Sequence, residues 1–133
     1  MGGRGGRRSI APEAILEGHA PAVVALAGAV RALVRGMIDG VVEVGDPRAG
    51  VIAFRRHGRF AFVEPMPDHV RLGFEHGYAL PDPAGLLEGE AGGPVRHVAL
   101  RAVDQVTSRG VKLLVSAALF DDETHGFRRR ARQ

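Results

Sequence analysis

From His69 to Gly89 the chain passes without a break from an alternating strand pattern (Val70, Leu72, Phe74), through the glycine turn around Gly77, to a helix signal at Asp82-Pro83. Alternation at a period of two exposes one strand face and buries the other. Asp82 can accept backbone N–H groups at a helix start, and Pro83 suits the first helical position. Leu86 and Leu87 would dock that short helix, and Gly89 would end it. A chain that switches period so quickly belongs to a mixed α and β class, with sheet and helices segregated.

The rest of the chain extends this pattern. Ala11 to Gly18 fits one short helical turn. Pro21 then opens a longer helix whose Val23, Leu26, Ala27, Val30, Leu33, Val34, Met37 and Ile38 recur at three- and four-residue steps, with Gly40 placed to stop it. Gly45 to Gly50 reads as a turn-rich loop. Val51–Arg56 and Arg59–Glu64 flank His57-Gly58, the signature of a two-residue hairpin. A type I′ turn there would hold both His57 and Gly58 at positive φ, and the register would pair Ala53 with Phe62 and Phe54 with Ala61. After the strand of Val70, Leu72 and Phe74, residues 95–101 predict a fourth strand with Val98 and Leu100 inward. Ser108 can cap a last helix striped by Val111, Leu114, Val115, Ala118 and Leu119. The expectation is α+β: an antiparallel sheet with two long helices on one face and the other face uncovered.

Domain limits follow from composition. Residues 1–9 hold a glycine- and arginine-rich head that can bury nothing and is expected to be disordered. A single domain covers 10–122, the Asp121-Asp122-Glu123 triplet ends it, and 123–133 form a frayed basic tail. Seven of the 18 basic residues are arginines in these two ends; the 11 that remain face 15 acidic residues, so the chain without those seven arginines carries a formal charge of −4.

Several chemistries are excluded by what the chain lacks. Without cysteine there is no disulfide, thiolate nucleophile or sulfur-ligated metal. Its three serines, Ser9, Ser108 and Ser116, form no nucleophile elbow, and its single lysine, Lys112, follows no phosphate-binding glycine loop. No apolar run reaches the ~18 residues of a membrane span, and Arg31 and Arg35 continue the helical period past the apolar segment 21–30, unlike a secretory signal. A cytoplasmic protein with no membrane partner is expected.

Val70-Arg71-Leu72-Gly73-Phe74, Gly77, Leu80, Asp82-Pro83, Gly85 to Gly89 and Arg96-His97-Val98, together with a Gly45-x-Pro47 turn, resemble the YdhG-like bacterial domains of unknown function. These sit within the YdhG/YjbR/CyaY-like grouping, and the resemblance spans about residues 20–119. It implies a compact frataxin-like α+β domain and supplies no agreed reaction. Val44 and Ala49 to Val51 stand where that family often carries aromatics.

Candidate binding residues are Arg71, Tyr78, Arg96 and His97, with Gly45 and Pro47 added by the resemblance. Neighbours on a strand, Arg96 and His97 point to opposite faces and form no dyad. Arg96 shares its face with Val98 and Leu100, where burial calls for a carboxylate such as Asp82 or Glu88; alternatively it holds an anionic small ligand beside Gly77 and Gly92-Gly93. His69, Arg71 and His97, with Arg55 or Arg59, line the uncovered sheet face, and Tyr78 borders it. That face predicts a homo-oligomer or a ligand surface. No catalytic residue, cofactor or metal site is expected: hard cations need clustered carboxylates, and the one local set, Asp121 to Glu123 with His125, reads as a solvated helix end. A small-ligand or metal (iron) carrier is the alternative the frataxin-like fold suggests. Nucleic acid held by the arginine-rich ends is the other, opposed by the acidic body and the near absence of aromatics there.

Overall fold

The computed structural model describes residues 8–131, with side chains through His125. The order is α1 (Pro12–Ile15), α2 (Pro21–Met37), β1 (Val42–Asp46), β2 (Val51–Arg55), β3 (Arg59–Pro65), β4 (Val70–Phe74), a single 3-10 turn (Gly77–Ala79), β5 (Arg96–Leu100), α3 (Val103–Val106) and α4 (Arg109–Ala131). Five antiparallel strands lie in chain order, β1-β2-β3-β4-β5, so each pairs with its neighbour in sequence. This is the α+β architecture expected, with one strand more. The expected disorder of residues 1–7 lies outside the described residues; Arg8 and Ser9 are exposed.

Both long helices cover the same side of the sheet. The stripe of α2 (Val23, Leu26, Ala27, Val30, Val34) and the stripe of α4 (Val111, Leu114, Val115, Ala118, Leu119) join Ile52, Phe54, Ala61, Val63, Val70, Leu72, Phe74, Val98 and Leu100 in one core cluster. Phe54, Phe74, Leu72 and Leu100 are among the largest side chains fully buried there, each worth roughly 1.5–3 kcal/mol of transfer free energy. Pro21 stands in the first turn of α2, as expected. Gly40 takes a φ of +87° just beyond its end. Ser108 caps α4, its hydroxyl accepting the Val111 N–H at 3.4 Å. Before it, Gln105 Oε1 accepts the N–H groups of Arg101 at 2.6 Å and Ala102 at 2.9 Å, holding the short α3.

Strand β1 was not expected, and its side chains explain why. Glu43 faces the helices, paired with Phe54 in the register, whereas Val42 and Val44 face away. The alternation is inverted because α2 supplies Arg31, which donates to both Glu43 oxygens at 2.9 and 2.8 Å and to Glu13 at 3.0 Å. The Glu43 hydrogen bond holds the Arg31 guanidinium above its ordinary pKa, against the opposing effect of burial. Residues 45 and 46 thus belong to the strand, and only 47–50 form the turn.

The β2–β3 hairpin keeps the expected register, Ala53 with Phe62 and Phe54 with Ala61. Its turn differs: neither His57 nor Gly58 adopts positive φ, so it is not type I′. A register shift between Phe54 and Arg55 absorbs the difference. The turn is instead fixed from outside. Asp122 of α4, 1% exposed, accepts the His57 N–H at 3.0 Å and the Gly58 N–H at 2.8 Å. The acidic triplet lies within α4, which continues through Ala131, and its middle aspartate is buried.

No helix forms at Pro83. Asp82 does cap, its carboxylate accepting the N–H groups of Leu86 at 2.9 Å and Leu87 at 2.8 Å. Gly85, at a φ of +67°, turns the chain out of the right-handed helical region, so the cap closes a loop.

Candidate functional site

On the side of the sheet away from the helices, the strand registers align Val44, Ala53, Phe62, Gly73 and His97 in one row across all five strands. A neighbouring row carries Asp46, Val51, Glu64, Arg71 and Ala99. Val51, Ala53 and Gly73 are buried although they lie outside the main core cluster. Local side chains do the covering. A Cβ at Gly73 would clash with the tip of the Phe62 ring, so the ring lies flat over β4 only because residue 73 has no side chain. Arg59 then lies over Phe62, its guanidinium carbon 5.8 Å from the ring centroid. It donates to Glu75 at 2.7 Å and to Asp46 at 3.2 Å. Burial would raise the Asp46 pKa, but the Ala49 amide, Arg59 and the Arg48 amide together bring it below its ordinary value.

Arg71 and His97 both lie on this open face, on adjacent strands. Arg71 reaches Glu64 across the β3–β4 pair at 3.9 Å. His97 Nε2 lies 3.6 Å from a Glu88 oxygen, and the Glu88 backbone pairs with His97 in both directions at 2.8 Å. Burial, then the charge of Arg71, lower the His97 pKa, favouring the neutral imidazole. His69, just before the strand that carries Arg71, is held 2.7 Å from Asp68.

The other candidates do not join this pair. Arg96 lies on the opposite side of β5, its stem packed against two glycines: a Cβ at Gly77 would sit 2.5 Å from Arg96 Cβ, and one at Gly89 would sit 2.8 Å from Arg96 Cδ. Its Nη1 donates to the carbonyls of Gly93 and Val95, the latter at 2.9 Å. The carboxylates expected beside it are engaged elsewhere, Asp82 with the loop amides and Glu88 with His97. Arg96 holds the glycine-rich loop through the Gly93 and Val95 carbonyls instead of the expected carboxylate. Tyr78 is adjacent in the fold, its N–H donating to the Pro94 carbonyl at 3.1 Å, but its side chain is 64% exposed. Gly45 and Pro47 belong to the far edge. The backbone of Ile10 pairs with Gly45, and a Cβ there would meet the Ile10 carbonyl oxygen at 2.5 Å. Pro47 is exposed in the following turn.

The acidic set on α4 diverges. Asp121 approaches His125 at 3.0 Å and His76 at 3.8 Å, Asp122 faces the hairpin turn, and Glu123 pairs with Arg56 at 3.6 Å. Among the described residues no group of three or more His, Asp or Glu side chains is placed to hold a metal ion. No helix there is long and apolar enough to cross a membrane. Sequence reasoning placed Arg59 near the open face but missed its clamp between Asp46 and Glu75; the available signal was Phe62 and Gly73 sharing a face. No protein-family model, curated protein or solved structure matches the chain.

Proposed function

We propose that this chain is a non-enzymatic interaction module that pairs with a second copy through its open sheet face. The observation carrying this reading is the composition of that face. An apolar strip from Val44 through Phe62 is flanked by three acidic groups, Asp46, Glu64 and Glu75, and three arginines, Arg55, Arg59 and Arg71. Such a balanced face meets a rotated copy of itself without net repulsion, as an isologous interface requires. Growth by the sheet edges is less favoured, because a bridge from Ile10 covers part of β1 and one from Glu88 covers part of β5. The YdhG-like resemblance, with its frataxin-like arrangement, is the finer family reading; an order of helix, five antiparallel strands and helix supports it.

Sedimentation velocity of the full chain at rising concentration tests the pairing. A dimer is expected, and Phe62→Asp should return it to monomer with unchanged circular dichroism. A wild-type chain that stays monomeric at tens of micromolar (on the order of a weak transient contact) would refute the pairing.

A further inference from the structure

The outward side of α4 plays no part in the sheet face, being on the other layer of the fold. The core stripe of this helix uses Val111, Leu114, Val115, Ala118 and Leu119. Leu113 and Phe120, seven residues apart and therefore on one side, point the opposite way and are 44% and 69% exposed. Ser116 is exposed between them, and Arg109 and Lys112 are exposed at the start of the helix. The backbone continues helically to Ala131, carrying Phe127 at the next seven-residue step and Arg128, Arg129 and Arg130 immediately after it. The carboxylates on α4 are engaged with the body: Asp122 with the hairpin turn, Glu123 with Arg56, and Asp121 with His76 and His125.

We propose that this side of α4 docks on an anionic lipid surface, lying in its plane with Leu113 and Phe120 inserted at the headgroup boundary. Charge complementarity selects the occupant. In an antiparallel pair of α4 helices centred on Phe120, the basic positions 128–130 of one copy would lie opposite the basic start of the other, where Arg109 and Lys112 stand. A parallel pair would place the arginine clusters side by side. Both arrangements set like charges against each other, so a second copy does not fit this stripe. A nucleic acid would satisfy the arginines but offers no apolar layer to Leu113. Large apolar side chains between basic helix ends are what an interfacial helix presents to acidic headgroups.

The test is co-sedimentation of the full chain with vesicles of phosphatidylcholine alone and of phosphatidylcholine mixed with phosphatidylglycerol. Binding should be at least about tenfold stronger to the anionic vesicles and should weaken with salt. Phe120→Ser and, separately, Leu113→Ser should each lower it by about tenfold without altering circular dichroism. Replacing Arg128, Arg129 and Arg130 by serine should lower it on the order of a hundredfold. Equal binding to both vesicle types, no binding at all, or binding indifferent to Phe120→Ser and Leu113→Ser would overturn the proposal. A Phe120-dependent complex with a single-stranded oligonucleotide but none with vesicles would assign the stripe to nucleic acid, and a dimer broken by Phe120→Ser would assign it to a second copy; either overturns it.

Discussion

Removing the Asp122 carboxylate should unlatch the β2–β3 hairpin from α4. In Asp122→Ala the N–H groups of His57 and Gly58 lose their acceptor, and the helix loses its tie to the turn. Hydrogen bonds to a charged group contribute roughly 1.5–3 kcal/mol each, which would give about 3–6 kcal/mol for the two. Two effects reduce this figure. Residues 57 and 58 are half-buried, so water can reach the freed amides, and the mutant no longer bears the cost of burying a carboxylate that is 1% exposed. The expected loss is about 2–4 kcal/mol, or roughly 6–16 °C in Tm for a domain of this size. Asp122→Asn keeps one acceptor oxygen and should lose about half as much. Urea titration followed by circular dichroism measures it, as a lowered midpoint at constant slope. A loss under about 1 kcal/mol for Asp122→Ala would show that the latch is not what holds the turn.

Gly58→Ala should change stability by less than about 1 kcal/mol, because the residue is not at positive φ and its new Cβ would sit 3.6 Å from Asp122 Oδ1; a larger loss would restore the type I′ turn that the sequence suggests. Gly73→Ala should cost about 1–3 kcal/mol, since its Cβ displaces the Phe62 ring and with it the Arg59 contact; unchanged urea midpoints would show that the ring does not lie on β4. His97 predicts a pH dependence. Its folded pKa is below the ordinary 6.5, so the unfolded chain takes up a proton first as pH falls through that value, and stability declines until the folded imidazole also protonates. Melting from pH 8 to 5 should show that decline, reduced in His97→Gln; an equal decline in both proteins would place its origin elsewhere.

Sequence periodicity revealed those elements whose buried faces are purely apolar. The stripes of α2 and α4 and the inward residues of β4 and β5 were legible for this reason, as was the hairpin register. Strand β1 was not, because its inward Glu43 is neutralised by Arg31, a partner 12 residues away that no local pattern reveals. The turn type was misread for a related cause. A Gly58 beside His57 is a sound local signal for positive φ, but Asp122 sits 64 residues on and fixes the two amides in another conformation. Asp82 was read correctly as a cap; Gly85 in a left-handed conformation then prevented the helix. Of the candidate binding residues, strand parity placed Arg71 and His97 on one face and Arg96 on the other. Parity carries no distance across the sheet, however, so it could not reveal that Gly45 and Pro47 lie on the opposite edge.

The meander order of the sheet bears on how the protein is made. Each strand finds its neighbour as soon as the next strand has been synthesised, so the five-stranded sheet can assemble in the order in which it emerges from the ribosome. Half of the helical cover comes last: after Leu100 completes β5, the chain must extend to Leu119 before α4 can dock. At roughly 5–20 residues per second this takes about one to four seconds. During that interval Phe54, Phe74 and Leu72 are sheltered by α2 alone, and the nascent sheet presents apolar surface to any chaperone or neighbouring chain. A stalled chain ending at Ser108 should therefore be captured by such partners, and one extended beyond Asp122 should escape them.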